Sequence, residues 1–204
     1  MAIPIYLEVG QKSVFAVAID WPGWCRRAKD PAAAIEELDA YRERYASICG
    51  RDPGRGGFDV IGELVGNATT DFGAPSSIGP WDEQPMSAQR RRRSLELLQR
   101  HWDYFDATLS AAPLALRKGP RGGGRDRDAV RDHVREAERA YCAKVGVRIG
   151  PRTAWSEQRS TLLSTLEARG EGGSWPLAYA IRRMAWHVAD HAWEIEDKGV
   201  ALAY

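Results

Sequence analysis

The sequence predicts an α+β chain in two parts, a small N-terminal α/β module followed by a four-helix bundle. Three observations carry the prediction. Short runs rich in β-branched and aromatic residues occupy the first third of the chain, bounded by turn residues. Four longer stretches with apolar residues three or four apart fill the second half. Between them, residues 70–85 carry three prolines and two glycines and keep no period. The boundaries drawn from this are 1–70 for the module, 71–85 for a linker and 86–204 for the bundle.

In the module, residues 5–9 and 13–19 read as strands, and Gly10-Gln11-Lys12 between them is a hairpin signal. Trp21-Pro22-Gly23-Trp24 turns the chain into a third strand over 24–28. Asp30 is suited to cap a helix with Pro31 at its first position, and Ile35, Leu38, Tyr41, Tyr45 and Ile48 carry that helix onward at helical spacing. The apolar run Phe58–Val65 adds a last strand.

In the second half, Leu95, Leu98, Trp102, Phe105 and Leu109 form one stripe on a helix over 90–109, ended by Ala111-Ala112-Pro113. A glycine-rich loop over 118–124 follows, after which Asp126 or Asp128 caps a helix whose stripe runs Val130, His133, Val134, Ala137, Tyr141. A third helix starts at Thr153 or Ser156, runs through Leu162, Leu163 and Leu166, and ends at Gly170. The fourth carries Leu177, Ile181, Met184, Val188 and Ile195 to about Lys198. One apolar stripe on each of four helices is the pattern of a bundle.

Composition excludes several functions. Of the 204 residues 44% are apolar and 28% charged, enough to bury two modest cores. Lys plus Arg number 29 and Asp plus Glu 28, so no excess of positive charge draws the chain to nucleic acid or an anionic membrane. The run Arg90-Arg91-Arg92-Arg93 wraps around its helix instead of lining one face, which makes nucleic acid an unexpected partner. No signal peptide or spanning stretch of about 18 apolar residues is expected. Cys25, Cys49 and Cys142 are far apart in sequence, so a reducing cytoplasm is the expected location and small core residues their expected role.

The chemistry concentrates in the four histidines. His187 and His191 are four residues apart on the last helix, at the edge of its apolar stripe, so both can reach one ion. His133 lies within the stripe of the second helix, where a neighbour must pack, and a third imidazole can join them. Three neutral imidazoles and an open position are what a catalytic divalent metal needs. Zinc, nickel and iron all suit such a donor set. His101 falls about 40° off its own stripe and is expected at the surface or behind the ligands. The segment His187-Val188-Ala189-Asp190-His191 has no Glu after its first His, so the base of the zinc proteases is missing.

Two resemblances add to this reading. The order of the first elements, with the helix start Asp30-Pro31-Ala32-Ala33-Ala34-Ile35-Glu36-Glu37, resembles the HicB-like antitoxin fold over residues 4–48. That family's module often binds a small toxin, but its usual DNA-binding appendage is missing here, so the module is expected to pack on its neighbour and shape a cleft. Residues 86–198 resemble the DinB-like (DinB/YfiT) superfamily of four-helix bundles, on the segment around Asp132-His133-Val134 and on Trp186-His187-Val188-Ala189-Asp190-His191-Ala192-Trp193. That resemblance implies a divalent metal on His133, His187 and His191 with no fourth protein ligand. It also implies a small-molecule substrate and, in some members, a low-molecular-weight thiol cofactor such as mycothiol or bacillithiol.

Two chemical routes follow from an open coordination position: a bound thiol or a bound water becomes the nucleophile, giving a metal-dependent transferase, isomerase or hydrolase. Arg182 and Arg183, within a turn and a half of His187, are the candidates for binding an anionic cofactor. Asp190, Glu138 and Glu194 are near enough in sequence to accept a ligand N–H or a proton, and Asp190 and Glu138 are the catalytic candidates. The competing reading is a non-catalytic binding or structural protein whose histidines hold a structural ion or none. Trp186 and Trp193, seven apart, face away from the stripe of the last helix. That helix is therefore expected to lie between the bundle core and either the N-terminal module or a second subunit, the latter making a homodimer.

Overall fold

The computed structural model describes residues 2–119, 123–168 and 173–199. Its elements are β1 (Ile3–Val9), β2 (Val14–Ala18), β3 (Cys25–Ala28), α1 (Pro31–Ala40), α2 (Arg42–Cys49), β4 (Phe58–Val65), α3 (Ala68–Phe72), α4 (Ala88–Ala111), α5 (Arg127–Lys144), α6 (Trp155–Ala168) and α7 (Leu177–Gly199). The arrangement is α+β, a four-stranded sheet followed by a helical bundle. Among the described residues, no helix is long and apolar enough to cross a membrane. The expected helix end at Gly170 lies outside the described residues.

The sheet has the order β3-β2-β1-β4. β1 and β2 form the hairpin, with Ile5 opposite Ala18 and Val9 opposite Val14, and β3 continues it antiparallel to β2. β4 lies parallel to β1. A parallel neighbour requires a crossover, and α1 and α2 supply it. Alternation then sorts the side chains. Ile3, Ile5, Leu7, Val14, Ala16 and Ala18 pack against Ala34, Leu38, Tyr45 and Ile48 of the crossover helices. Tyr6, Phe15 and Val17 pack in a separate cluster with Trp81 and Trp186.

Asp30 caps α1 as expected, its side chain accepting from the Ala33 N–H at 2.9 Å. The single helix expected through Ile48 is instead broken at Tyr41, whose φ of −91° and ψ of 4° leave the helical region. The reason is tertiary: the Tyr41 ring lies 4.9 Å from that of Trp193, with the Arg26 guanidinium 3.7 Å over its face.

The linker is strapped down by buried carboxylates. Glu8 of β1 is fully buried and accepts from Thr70 Oγ1 at 2.5 Å, Ser76 N at 2.8 Å and Ser77 N at 3.1 Å. Asp82 accepts from the Gly79 N–H at 2.9 Å and pairs with Arg182 of α7 at 2.5 Å.

Helix α4 is capped by Ser87, which accepts from the Arg90 N–H at 3.2 Å. Leu95, Leu98, Trp102 and Phe105 of α4 meet Val130 and Val134 of α5, Leu162 and Leu166 of α6, and Ile181, Met184 and Val188 of α7 in one core. Helix α7 is covered on a second side as well. Arg26 of β3 donates to Asp190 at 3.1 Å, and on either side of that contact Trp186 and Trp193 are buried in the two clusters of sheet residues. This chain's own module covers both tryptophans, so they supply no argument for a second subunit.

Candidate metal centre

Helices α5 and α7 bring three histidines together. His133 projects from α5, and His187 and His191 from successive turns of α7. One ring nitrogen from each lies within 4.8 Å of the others. His133 Nε2 and His187 Nε2 are 3.3 Å apart. A tetrahedral ion with metal–nitrogen bonds of about 2.0–2.1 Å would hold its imidazole nitrogens about 3.3 Å apart, so this pair has the separation of co-ligands.

The protonation states agree with a ligand role. His187 is buried, and burial, reinforced by the charges of His191, Arg183, His133 and Arg125, pushes its pKa well below the ordinary imidazole value. His133, partly buried, is lowered by the same combination of burial with His191 and Arg125. Both are therefore neutral at pH 7, with a lone pair to offer. His191 Nδ1 lies 2.7 Å from Glu194 Oε2, and because a carboxylate only accepts, Nδ1 carries the hydrogen, which leaves Nε2 as the ring nitrogen to face an ion. The hydrogen bond from His191 holds the Glu194 carboxyl down at about 2, with Lys198 pairing to its other oxygen. Glu194 thus stands behind a ligand, where it fixes the imidazole tautomer.

The remaining sequence candidates are placed elsewhere. Asp190, a catalytic candidate, points from α7 to Arg26 of the sheet. Glu138, the other, is buried on the far side of α5, where it accepts from Trp155 Nε1 at 2.5 Å and pairs with Arg159 at 3.2 Å. Arg159 also reaches Asp106 at 3.0 Å, so Glu138 is one end of a buried pair that ties α5, α6 and α4 together. Arg182 turns away from the imidazoles to Asp82, whereas Arg183 stays on their side of α7. His101 is not at the surface but 1% exposed, wedged against the Gly23 turn and Tyr45. The three cysteines are buried, and burial pushes Cys142 up to about 12 and Cys49 to about 11, which leaves them unreactive.

Sequence reasoning missed Arg125. It precedes α5 in an aperiodic loop, yet its charge is felt at both His133 and His187. No spacing rule could have found it.

No protein-family model matches the chain, nor does any curated protein or solved structure.

Proposed function

We propose that this chain is a divalent-metal-binding protein of the DinB-like kind, a metal-dependent transferase, isomerase or hydrolase acting on a small molecule. The observation that carries the reading is the convergence of three imidazole nitrogens within 4.8 Å. Two of the imidazoles have depressed pKa values, and the third is aimed by Glu194. An ion bound there would acidify a thiol or a water at its remaining position.

The chain's own groups do the rest. His133, His187 and His191 supply the imidazole donors, and Glu194, paired to Lys198, orients the His191 ring. Arg183 and Arg125 bias the mouth of the site toward anionic ligands. The carboxylate in contact with the triad is on the Nδ1 side of His191, and no fourth His, Cys, Asp or Glu joins the three imidazoles among the described residues. An open shell favours a catalytic over a structural ion. Three buried, unpaired thiols fit a reducing cytoplasm.

Elemental analysis of protein purified without chelator tests this reading. About one zinc, nickel or iron per chain is expected, reduced at least tenfold by His187→Ala, with circular dichroism showing that the variant folds. Absence of a stoichiometric divalent ion, or metal content that survives His187→Ala unchanged, removes the proposal.

A further inference from the structure

The stretch leading into α4 and the start of α7 face each other across an open cleft of about 670 Å³, a volume that accommodates a drug-sized molecule. Two apolar walls form it. Ile78, Pro85 and Met86 line one side, and Trp175, Pro176 and Leu177 line the other. Ile78 is 39% exposed, and Met86, Trp175 and Leu177 are only half-buried. Apolar walls that closed on each other would leave water, so their separation calls for an explanation.

Contacts behind each wall hold the cleft open. The first wall is tied to α7 by the buried Asp82–Arg182 pair at 2.5 Å, and Asp82 also accepts from the Gly79 N–H at 2.9 Å. On the other side the Trp175 N–H donates to the Lys144 carbonyl at 3.2 Å. The Trp175 ring is backed by Tyr141 at 5.2 Å and Tyr179 at 5.0 Å. A pocket formed in advance binds without the cost of ordering its walls.

The charges around the cleft point to a ligand without one. Asp82 is neutralised by Arg182. That leaves Glu83, which has no ion-pair partner among the described residues, and Arg91, which donates to the Glu167 carbonyl at 3.3 Å. A ligand of either sign meets one of these two with the wrong charge, whereas an uncharged one meets neither. The indole and proline surfaces of the walls suit a ring system.

We infer that this cleft binds an uncharged, largely apolar ring compound, held against Trp175 by Met86 and Leu177. The site is distinct from the imidazoles: Tyr141 stands between them, its ring 5.2 Å from that of Trp175 and 5.7 Å from that of His187. The inference does not depend on a metal being bound.

The test titrates the full chain with N-phenyl-1-naphthylamine, an uncharged probe that fluoresces in apolar surroundings, in the presence of EDTA so that no ion takes part. A saturable signal at about one probe per chain is expected. Leu177→Glu, an acid where a helix N-terminus tolerates one, and Met86→Glu on the facing wall should each weaken binding about tenfold or more, with circular dichroism unchanged. Leu114→Glu alters an apolar side chain that is 66% exposed outside the cleft, and affinity should stay within about twofold of wild type. The sulfonated form of the same skeleton, 8-anilinonaphthalene-1-sulfonate, should bind about tenfold or more weaker. Absence of a saturable signal, the result if a second copy or the chain itself fills the cleft, would overturn the assignment. So would unchanged affinity in either folded cleft variant, an equal loss in Leu114→Glu, or tighter binding of the sulfonate.

Discussion

His101 Nδ1 lies 2.6 Å from the Leu97 carbonyl and donates to it, while the other ring nitrogen is buried with no partner. Burial lowers its pKa to about 4 against the opposing effect of that hydrogen bond. The unfolded chain takes up a proton near pH 6.5 that the native chain refuses until about pH 4. Stability from this group is therefore complete above pH 6.5 and is lost as the pH falls toward 4. Between pH 7 and pH 5 the loss is about 2 kcal/mol. Urea unfolding at the two pH values should show it, and His101→Leu should lose about that much less than wild type. An equal loss in both proteins would mean that His101 is protonated in the native state. The stripe of α4 hid this residue because an angle measured from one apolar stripe knows only one packing partner, and α4 has two. Its second partner is the Gly23 turn, where φ is +93° and an added Cβ would overlap the imidazole.

At the scale of the element, α7 combines what the sequence could and could not reveal. The four-residue spacing of His187 and His191, and the seven-residue spacing of Trp186 and Trp193, are local periodicities, and helix geometry alone turns them into a ligand pair and a second buried face. The partners of its charged residues are not local. Arg26 and Asp190 are 164 residues apart in sequence, and the carboxylate that neutralises Arg182 comes from the linker. Sequence proximity to the histidines therefore drew Asp190 and Arg182 toward the site, while tertiary pairing takes both away from it. The Asp82–Arg182 pair is almost wholly buried, with side chains 0% and 5% exposed. Removing one partner of such a pair costs more than removing both, because the survivor keeps a desolvated charge. Asp82→Ala should lower stability by about 3–5 kcal/mol, and Asp82→Leu combined with Arg182→Met should recover most of it. A single variant within about 0.5 kcal/mol of wild type in denaturant unfolding would show that the pair carries no such burden.

At the scale of the whole molecule, the change of composition at residues 70–85 marks where strand patterns give way to helical ones, but it does not mark a break in packing. One cluster of buried residues joins Ile5, Leu7 and Trp24 of the module to Leu97 of α4 and to Ala189 and Trp193 of α7. Another joins Phe15 and Val17 to Trp186. The arginine run belongs to the same seam: Arg90 pairs with Asp20 at 3.2 Å, and the Arg93 guanidinium stacks 4.5 Å over Trp21. A module that shares its core with the bundle cannot unfold without exposing Trp193 and Trp186, and the bundle cannot lose α7 without uncovering the sheet. Domains that touch lightly through a polar seam unfold separately, whereas a shared apolar core couples them. Denaturant unfolding is therefore expected to be one cooperative transition. Trp24 reports on the module, Trp102 and Trp155 on the bundle, and Trp186 and Trp193 on the seam. Their combined fluorescence should change at the same midpoint as the helical ellipticity, which comes mostly from α4 to α7. Two resolved midpoints, with fluorescence leading ellipticity, would mean that the module separates first and that the buried seam contributes little to holding α7 in place.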